Sequence, residues 1–168
     1  MKFPLISVFA VCIGAAMGAQ AAGGAPDPFQ LEQERKRNQD PLVEGIQAAV
    51  AKADWPRAQE LAREGVAKNP ASPEYHNLYA YSMRKGPNPD MDMVFKQYEE
   101  ALRIDPKHLG AHEYIGEAYL QMGNLAKAKE HLTVLDKICF FGCEEYSDLK
   151  KAVALYEKDH KTEVSLQR

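Results

Sequence analysis

The stretch from His108 to Phe140, HLGAHEYIGEAYLQMGNLAKAKEHLTVLDKICF, decides the fold of this chain. Its apolar and small residues recur three and four positions apart, which is the spacing of one face of an α-helix. Gly123-Asn124 interrupts this spacing, and both residue types favour turns. The stretch therefore predicts two helices joined by a tight turn.

The same arrangement occurs twice upstream. Residues 42–70, LVEGIQAAVAKADWPRAQELAREGVAKNP, have the helical spacing, an interruption at Ala53-Asp54 and a stop at Asn69-Pro70. The stop recurs about 36 residues later as RIDP, which ends at Pro106. Self-similarity at about 34 residues, with two helices per unit, predicts an array of helical repeats.

The third copy resembles the tetratricopeptide repeat (TPR) family, whose pattern places a large residue, Leu-Gly and Tyr on the first helix and Ala-x3-Phe on the second. In that register Gly116 and Ala128 are expected to face each other, because small side chains let two helix axes approach to about 8–10 Å. The matching residues are His112, Ile115, Gly116, Tyr119, Gly123, Ala128 and Leu132.

The resemblance implies an all-α fold: a right-handed superhelical TPR solenoid of three helix-turn-helix repeats plus a C-terminal capping helix. A capping helix is expected because a solenoid otherwise leaves its last apolar face bare. An apolar stripe at helical spacing marks this helix, formed by Tyr146, Leu149, Val153 and Tyr156. The expected boundaries are repeats near 39–72, 73–108 and 109–142, a capping helix at 144–159 and a tail at 160–168.

Residues 1–21 have the pattern of a secretory signal peptide: Lys2, an apolar run, and small residues at Ala19-Gln20-Ala21. We expect cleavage near Ala21 and a mature protein in the bacterial periplasm or secreted. The apolar run is shorter than the about 20 residues that span a bilayer, so no membrane span is expected in the mature chain. Cys12 raises a lipoprotein alternative, but Val11 directly before it is not a small residue. Residues 22–38 are expected to form a flexible arm, and a short, frayed helix over 29–37 is the alternative.

The charge balance argues against nucleic-acid partners. The 168 residues include 21 Lys and Arg and 24 Asp and Glu, for a net charge of −3. The sequence has no basic block and no glycine-rich phosphate loop, which are the usual signals for nucleic-acid and nucleotide binding. No cofactor is expected either.

The resemblance also implies a binding site, because TPR proteins generally bind peptides or other proteins through first-helix residues that face a concave groove. The alternative for each residue is an ordinary solvated helix position. The positions transferred by register are Glu74, Asn77, Tyr81, Arg84 and Lys85 in the second repeat, and Glu113, Glu117, Leu120 and Gln121 in the third.

CFFGC, Cys139 to Cys143, follows the third repeat and contains the only two cysteines expected in the mature chain. Export favours a structural disulfide, and Gly142 allows the chain to fold back and close it. A redox-active pair and a copper site with a histidine or methionine as third ligand remain open. Covalent haem is not supported, because Cys-x2-Cys-His is absent.

The histidines and carboxylates do not form a recognisable catalytic or metal pattern. His108 and His112 are four residues apart, as in some zinc pairs, but the repeat register predicts a packed His112 and a solvated His108. His131 and His160 are expected at the surface. Glu113 and Glu117 lie one helical turn apart, and we expect them to meet a partner rather than to perform acid–base catalysis.

These observations predict a non-catalytic scaffold or adaptor of the TPR type that binds an unknown protein or peptide in the periplasm. The alternative is a periplasmic redox or copper-handling protein that uses Cys139 and Cys143. An enzyme is not expected.

Overall fold

The computed structural model describes residues 40–166, with side chains described for residues 40–160. Within this range it contains seven α-helices and no strand. The helices are α1 Pro41–Ala51, α2 Trp55–Lys68, α3 Pro73–Lys85, α4 Met91–Ile104, α5 Leu109–Gln121, α6 Leu125–Ile138 and α7 Glu144–Leu166.

Local capping fixes where α1 to α6 begin. In each, a polar side chain accepts a hydrogen bond from a backbone N–H of the first turn, which would otherwise lack a partner. Proline also stands in the first turn of α1, α2 and α3, where its missing N–H costs nothing. The capping residues are Asp40, Asp54, Ser72, Asp90, His108 and Asn124.

The turns between α1 and α2 and between α5 and α6 each need a residue in the left-handed region. Gly123 has φ 76° and Ala53 has φ 53°. Glycine adopts this conformation freely, whereas alanine does so at a steric cost. The predicted turns at Ala53-Asp54 and Gly123-Asn124 are confirmed, and the first of them is strained.

The helices form three consecutive pairs, α1 with α2, α3 with α4 and α5 with α6, and α7 packs on α5 and α6. The core has three clusters of buried side chains. The first includes Ile46, the second includes Tyr98 and Ile115, and the third joins Leu135 of α6 to Leu149 of α7. The predicted all-α repeat architecture with a capping helix is confirmed.

Two glycines permit close packing between successive repeats. A Cβ atom at Gly65 of α2 would lie 2.2 Å from a ring carbon of Tyr75 in α3. A Cβ atom at Gly116 of α5 would lie 2.6 Å from a methyl carbon of Leu149 in α7. Gly116 thus makes room for Leu149 of the capping helix. The close approach expected between Gly116 and Ala128 stays a prediction.

Two histidines bond to the proline that ends the preceding repeat. The Nε2 atom of His76 lies 2.9 Å from the carbonyl oxygen of Pro70, and the Nε2 atom of His112 lies 3.1 Å from that of Pro106. A carbonyl oxygen only accepts, so Nε2 carries the hydrogen in both rings. Both histidines are buried, which confirms the predicted packing role of His112.

Helix α7 extends beyond its expected end. It continues to Leu166, whereas the sequence predicts a capping helix that ends at 159 and a tail from 160. The expected signal peptide at 1–21 and the expected arm at 22–38 lie outside the described residues. No helix among the described residues is long and apolar enough to cross a bilayer.

The contact between Gly65 and Tyr75 yields the first prediction. Tyr75 is buried, and its hydroxyl donates to the carboxylate of Asp40, so the ring cannot move aside freely. We expect Gly65→Ala to lower the free energy of unfolding by about 1–3 kcal/mol, measured by urea unfolding followed by circular dichroism.

Gly45→Ala is the matched control, because a Cβ atom there would lie 3.4 Å from Leu61, close to ordinary contact. Alanine is favoured over glycine inside a helix by about 0.5–1 kcal/mol, so this variant should not be destabilised. Equal losses in both variants would contradict the close-packing explanation.

Candidate functional site

The first helix of each repeat and the capping helix together line a cavity of about 580 Å³. Helices α1, α3, α5 and α7 contribute to its wall, along with the loop between α4 and α5. Residues that form the wall include Val50 of α1, Asn77 and Tyr81 of α3, Glu113 and Tyr114 of α5, and Glu145 of α7.

The cavity brings together four of the nine residues that we assign to the groove: Glu74, Asn77, Tyr81 and Glu113. Lys85 and Gln121, in contrast, are exposed and do not line it. The Nζ atom of Lys85 lies 5.8 Å from the centre of the Tyr81 ring, so this lysine covers the ring from outside the cavity.

Arg84 and Glu117 form an internal ion pair instead of facing a ligand. The Nη2 atom of Arg84 lies 2.7 Å from the carboxylate of Glu117, and its Nε donates to the hydroxyl of Tyr98 at 3.4 Å. The Arg84 side chain is 6% exposed. The expectation that Arg84 lies in the groove is therefore wrong. The same holds for Leu120, which is buried in the third core cluster.

Two tyrosines form the aromatic part of the cavity wall. The ring centres of Tyr81 and Tyr114 are 4.5 Å apart, and Trp55 contacts Tyr81 edge-on at 6.3 Å. Burial raises the pKa of both hydroxyls, and the carboxyl group of Glu113 raises the pKa of Tyr114 further. Both tyrosines therefore remain neutral hydrogen-bond donors around pH 7.

Glu113 is the buried acid of the cavity. It is 8% exposed, and burial, followed by repulsion from Glu117 and from Asp148, Glu145 and Glu144 of α7, raises its pKa to about 8. Among the described residues no cation lies within ion-pair distance of its carboxyl group. Glu113 is therefore mostly protonated at pH 7.

Asn77 carries an unpaired acceptor in the same cavity wall. Asn77 is 3% exposed, and its Oδ1 atom has no hydrogen-bond partner among the described residues. Leaving a buried polar group unpaired costs about 1–3 kcal/mol. The Asn77 amide fits beside α5 because Gly110 has no side chain. A Cβ atom at Gly110 would lie only 3.2 Å from the Nδ2 atom of Asn77.

His108 is a helix cap at the edge of the cavity, so the expectation of a solvated side chain is wrong. Its Nδ1 atom accepts from the backbone N–H of Ala111 at 3.1 Å, and its Nε2 atom lies 3.0 Å from the carboxylate of Glu74. The His108 side chain is 14% exposed. This contact joins α5 to α3 across the wall.

His131 also departs from expectation, because it packs in the protein rather than lying at the surface. Its Nδ1 atom lies 2.9 Å from that of His112, and its ring stacks on Tyr119. Burial lowers the pKa of His131 to about 4 and also lowers the pKa of His112. The two rings are therefore neutral at pH 7, and His131 donates, because His112 already donates through Nε2. His160 is exposed, as expected.

The segment CFFGC forms a small loop between α6 and α7. Cys139 and Cys143 are joined by a disulfide, with Cα atoms 5.6 Å apart, and Gly142 has φ 84°. The loop turns Phe140 and Phe141 outward, 85% and 97% exposed. The side chains of residues 40–160 contain no group of three or more His, Cys, Asp or Glu that could hold a metal ion.

The sequence reasoning missed Tyr114, His108 and Glu145. Tyr114 occupies the same repeat position as Leu78, which also lines the cavity, but neither residue is among the positions transferred by register. The role of Glu145 depends on how α7 packs on α5, and no sequence pattern specifies that placement.

A known protein that contains TPR repeats is similar in sequence to this chain. The chain is 25% identical over 104 residues to the TPR repeat-containing thioredoxin TTL4 of Arabidopsis thaliana, a match that covers 62% of this chain but only 14% of the plant protein. No model of a protein family matches the chain.

Solved structures resemble the fold more completely. A thermophilic TPR protein of Thermus thermophilus, TTC0263, superposes with a TM-score of 0.60 at 18% identity, covering 79% of this chain and 72% of that one. PcrH, solved in complex with the chaperone binding region of PopD, superposes with a TM-score of 0.58 at 14% identity, covering 83% and 97%. The described part of the chain has the helical TPR fold.

The raised pKa of Glu113 makes stability depend on pH in a defined direction. The folded pKa of about 8 lies above the 4.5 of a solvated glutamate, so this group favours the folded state at low pH. The contribution is lost as pH rises from about 4.5 to about 8. We expect Glu113→Gln to have a higher melting temperature than the parent at pH 9 and a similar one at pH 5, by calorimetry.

Glu99→Gln, at an exposed position of α4, is the control and should follow the parent at both values. A Glu113→Gln variant that is less stable than the parent at pH 9 would show that the charged form of Glu113 is not disfavoured by its surroundings.

Proposed function

Given the TPR fold of the described residues, we propose that this protein is a non-catalytic scaffold that binds a peptide or protein segment in the cavity between α1, α3, α5 and α7. The observation that carries the proposal is that this wall contains polar groups without partners among the described residues. It combines the ring faces of Tyr81 and Tyr114 with the unpaired acceptor of Asn77 and the unbalanced carboxyl group of Glu113.

A similar fold has been solved with a segment of another protein. PcrH was crystallised in complex with the chaperone binding region of PopD, and its structure covers most of the present chain. The likeness concerns the fold, so it supports the class of function and not the identity of the partner. An open, partly aromatic wall fits an extended peptide, which presents side chains and backbone N–H groups together.

The carboxyl groups support a binding role rather than catalysis. General acid–base chemistry needs two groups free to exchange protons with a substrate. Glu117 is held by Arg84, so Glu113 and Glu117 are not a free pair. The scaffold therefore requires only that the wall form hydrogen bonds and ring contacts with its partner.

The proposed location is the periplasm or the exterior of a bacterial cell. The signal-like segment at 1–21 supports it, and so does the cysteine pair, because disulfides persist in oxidising compartments. We expect the protein recovered from a periplasmic extract to lack residues 1–21 and to have lost two hydrogen atoms through the Cys139–Cys143 bond. Intact-mass spectrometry with and without reductant measures both, and an uncleaved chain with two free thiols would contradict the proposed location.

The binding proposal is tested with a random-sequence peptide library selected on the full chain. We expect the selected peptides to shift amide resonances of α1, α3, α5 and α7 in two-dimensional NMR spectra. Tyr81→Ala should weaken their binding about tenfold or more, because buried aromatic anchors carry much of the energy in such contacts.

Lys96→Ala is the control, since Lys96 is exposed on α4 and lies outside the cavity wall. Circular dichroism confirms that each variant is folded. Peptides that perturb α2, α4 and α6 instead, or that bind Tyr81→Ala as well as the parent, would exclude this cavity as the binding site.

A further inference from the structure

The cavity wall has an excess of acidic groups. Its charged residues are four acids, one lysine and one histidine: Glu74, Asp105, Glu113, Glu145, Lys107 and His108. Glu74 is bonded to His108, and no described cation lies within ion-pair distance of Glu113 or Glu145. Arg84 does not correct this excess, because it pairs with Glu117. The charge of the wall therefore disfavours an anionic ligand and favours a cationic one.

The ring faces of Tyr81 and Tyr114 add a second preference for a cation. The face of an aromatic ring carries negative charge density and attracts a cation within about 6 Å of its centre. Lys85 and Arg84 already approach Tyr81 at 5.8 and 5.6 Å, which shows that this ring accepts cations. Among the described residues, no cation lies over the ring face of Tyr114.

Asn77 gives an independent indication that a ligand completes the wall. Its side chain is buried, lines the cavity and leaves Oδ1 without a hydrogen bond. An amide oxygen accepts hydrogen bonds and never donates them. The missing partner is therefore an N–H or O–H donor, as an ammonium group, a guanidinium group or a peptide backbone supplies.

We propose that the cavity binds a lysine or arginine side chain of an extended peptide, with the cationic group held by the Glu113 carboxylate beside the rings of Tyr81 and Tyr114. Asn77 Oδ1 accepts a hydrogen bond from the same peptide. This inference rests on the proposed scaffold function and deepens it by naming the chemical group that is recognised.

Binding of this kind is coupled to a proton. The free cavity holds Glu113 mostly protonated at pH 7, and a bound cation favours its carboxylate, so the proton leaves for solvent on binding. Affinity should therefore rise with pH up to about 8, the pKa of Glu113 in the free protein, and then level off. The groups that face Glu113 are Glu117 and Tyr114 of α5, Tyr81 of α3, and Glu144, Glu145 and Asp148 of α7.

The experiment compares two peptides, acetylated and amidated at their ends, that differ only in a central lysine or norleucine. Norleucine keeps the aliphatic chain and removes the charge. Calorimetry with the full chain at pH 8 and physiological salt should show about tenfold tighter binding of the lysine peptide, since a hydrogen bond to a charged group commonly contributes that much. The lysine peptide should also bind more weakly at pH 6 than at pH 8.

Glu113→Gln keeps the shape of the side chain and should remove both the preference for lysine and its pH dependence, whereas Glu99→Gln should keep them. Equal binding of the two peptides, or an unchanged preference in Glu113→Gln, overturns the inference. If library-selected peptides occupy the cavity without enrichment of lysine or arginine, the inference fails while the scaffold function stands. If no library peptide occupies the cavity, both fail.

Discussion

Close contact between a glycine of one repeat and a large side chain of the next element is the constraint on which the stacking of the helices depends. Tyr75 lies against Gly65, and Leu149 lies against Gly116, at distances that leave no room for a Cβ atom. These contacts bring α3 and α7 into place beside the preceding repeats. Since the cavity wall consists of α1, α3, α5 and α7, the spacing set by the glycines also sets the dimensions of the cavity.

The charge of the cavity wall depends on two glutamates of α5 that have different surroundings. Glu113 and Glu117 lie on the same face of α5, but Arg84 reaches only Glu117, across 33 positions of sequence. Glu113 is instead buried, and it also faces Glu117 and the carboxylates of α7. Burial first and this repulsion second raise its pKa. One carboxylate therefore stabilises the fold through an internal ion pair, while the other remains the unbalanced group of the wall.

The histidines show which side-chain contacts the repeat register predicts and which it does not. His76 and His112 share a register position and make the same hydrogen bond to the preceding proline, so the expected packing of His112 was correct. The register predicted a solvated His108, which is wrong, and it gave no partner for His131. His108 caps α5 and contacts α3, and His131 lies against His112 of the neighbouring helix. Both were expected in solvent because their partners lie on other helices.

The sequence by itself determined the helices, their caps, the tight turns and the three-repeat order, because these depend on backbone conformations and on side chains a few residues apart. It also predicted that Glu74, Asn77, Tyr81 and Glu113 lie on the inner face of the first helices, and these residues line the cavity. Their role in binding stays a prediction. Only the tertiary structure decided that Arg84 is buried, that Glu113 has no counter-ion among the described residues and that Gly116 receives Leu149. These outcomes depend on which side chains of distant segments meet when the helices pack, and no local pattern in the chain specifies such meetings.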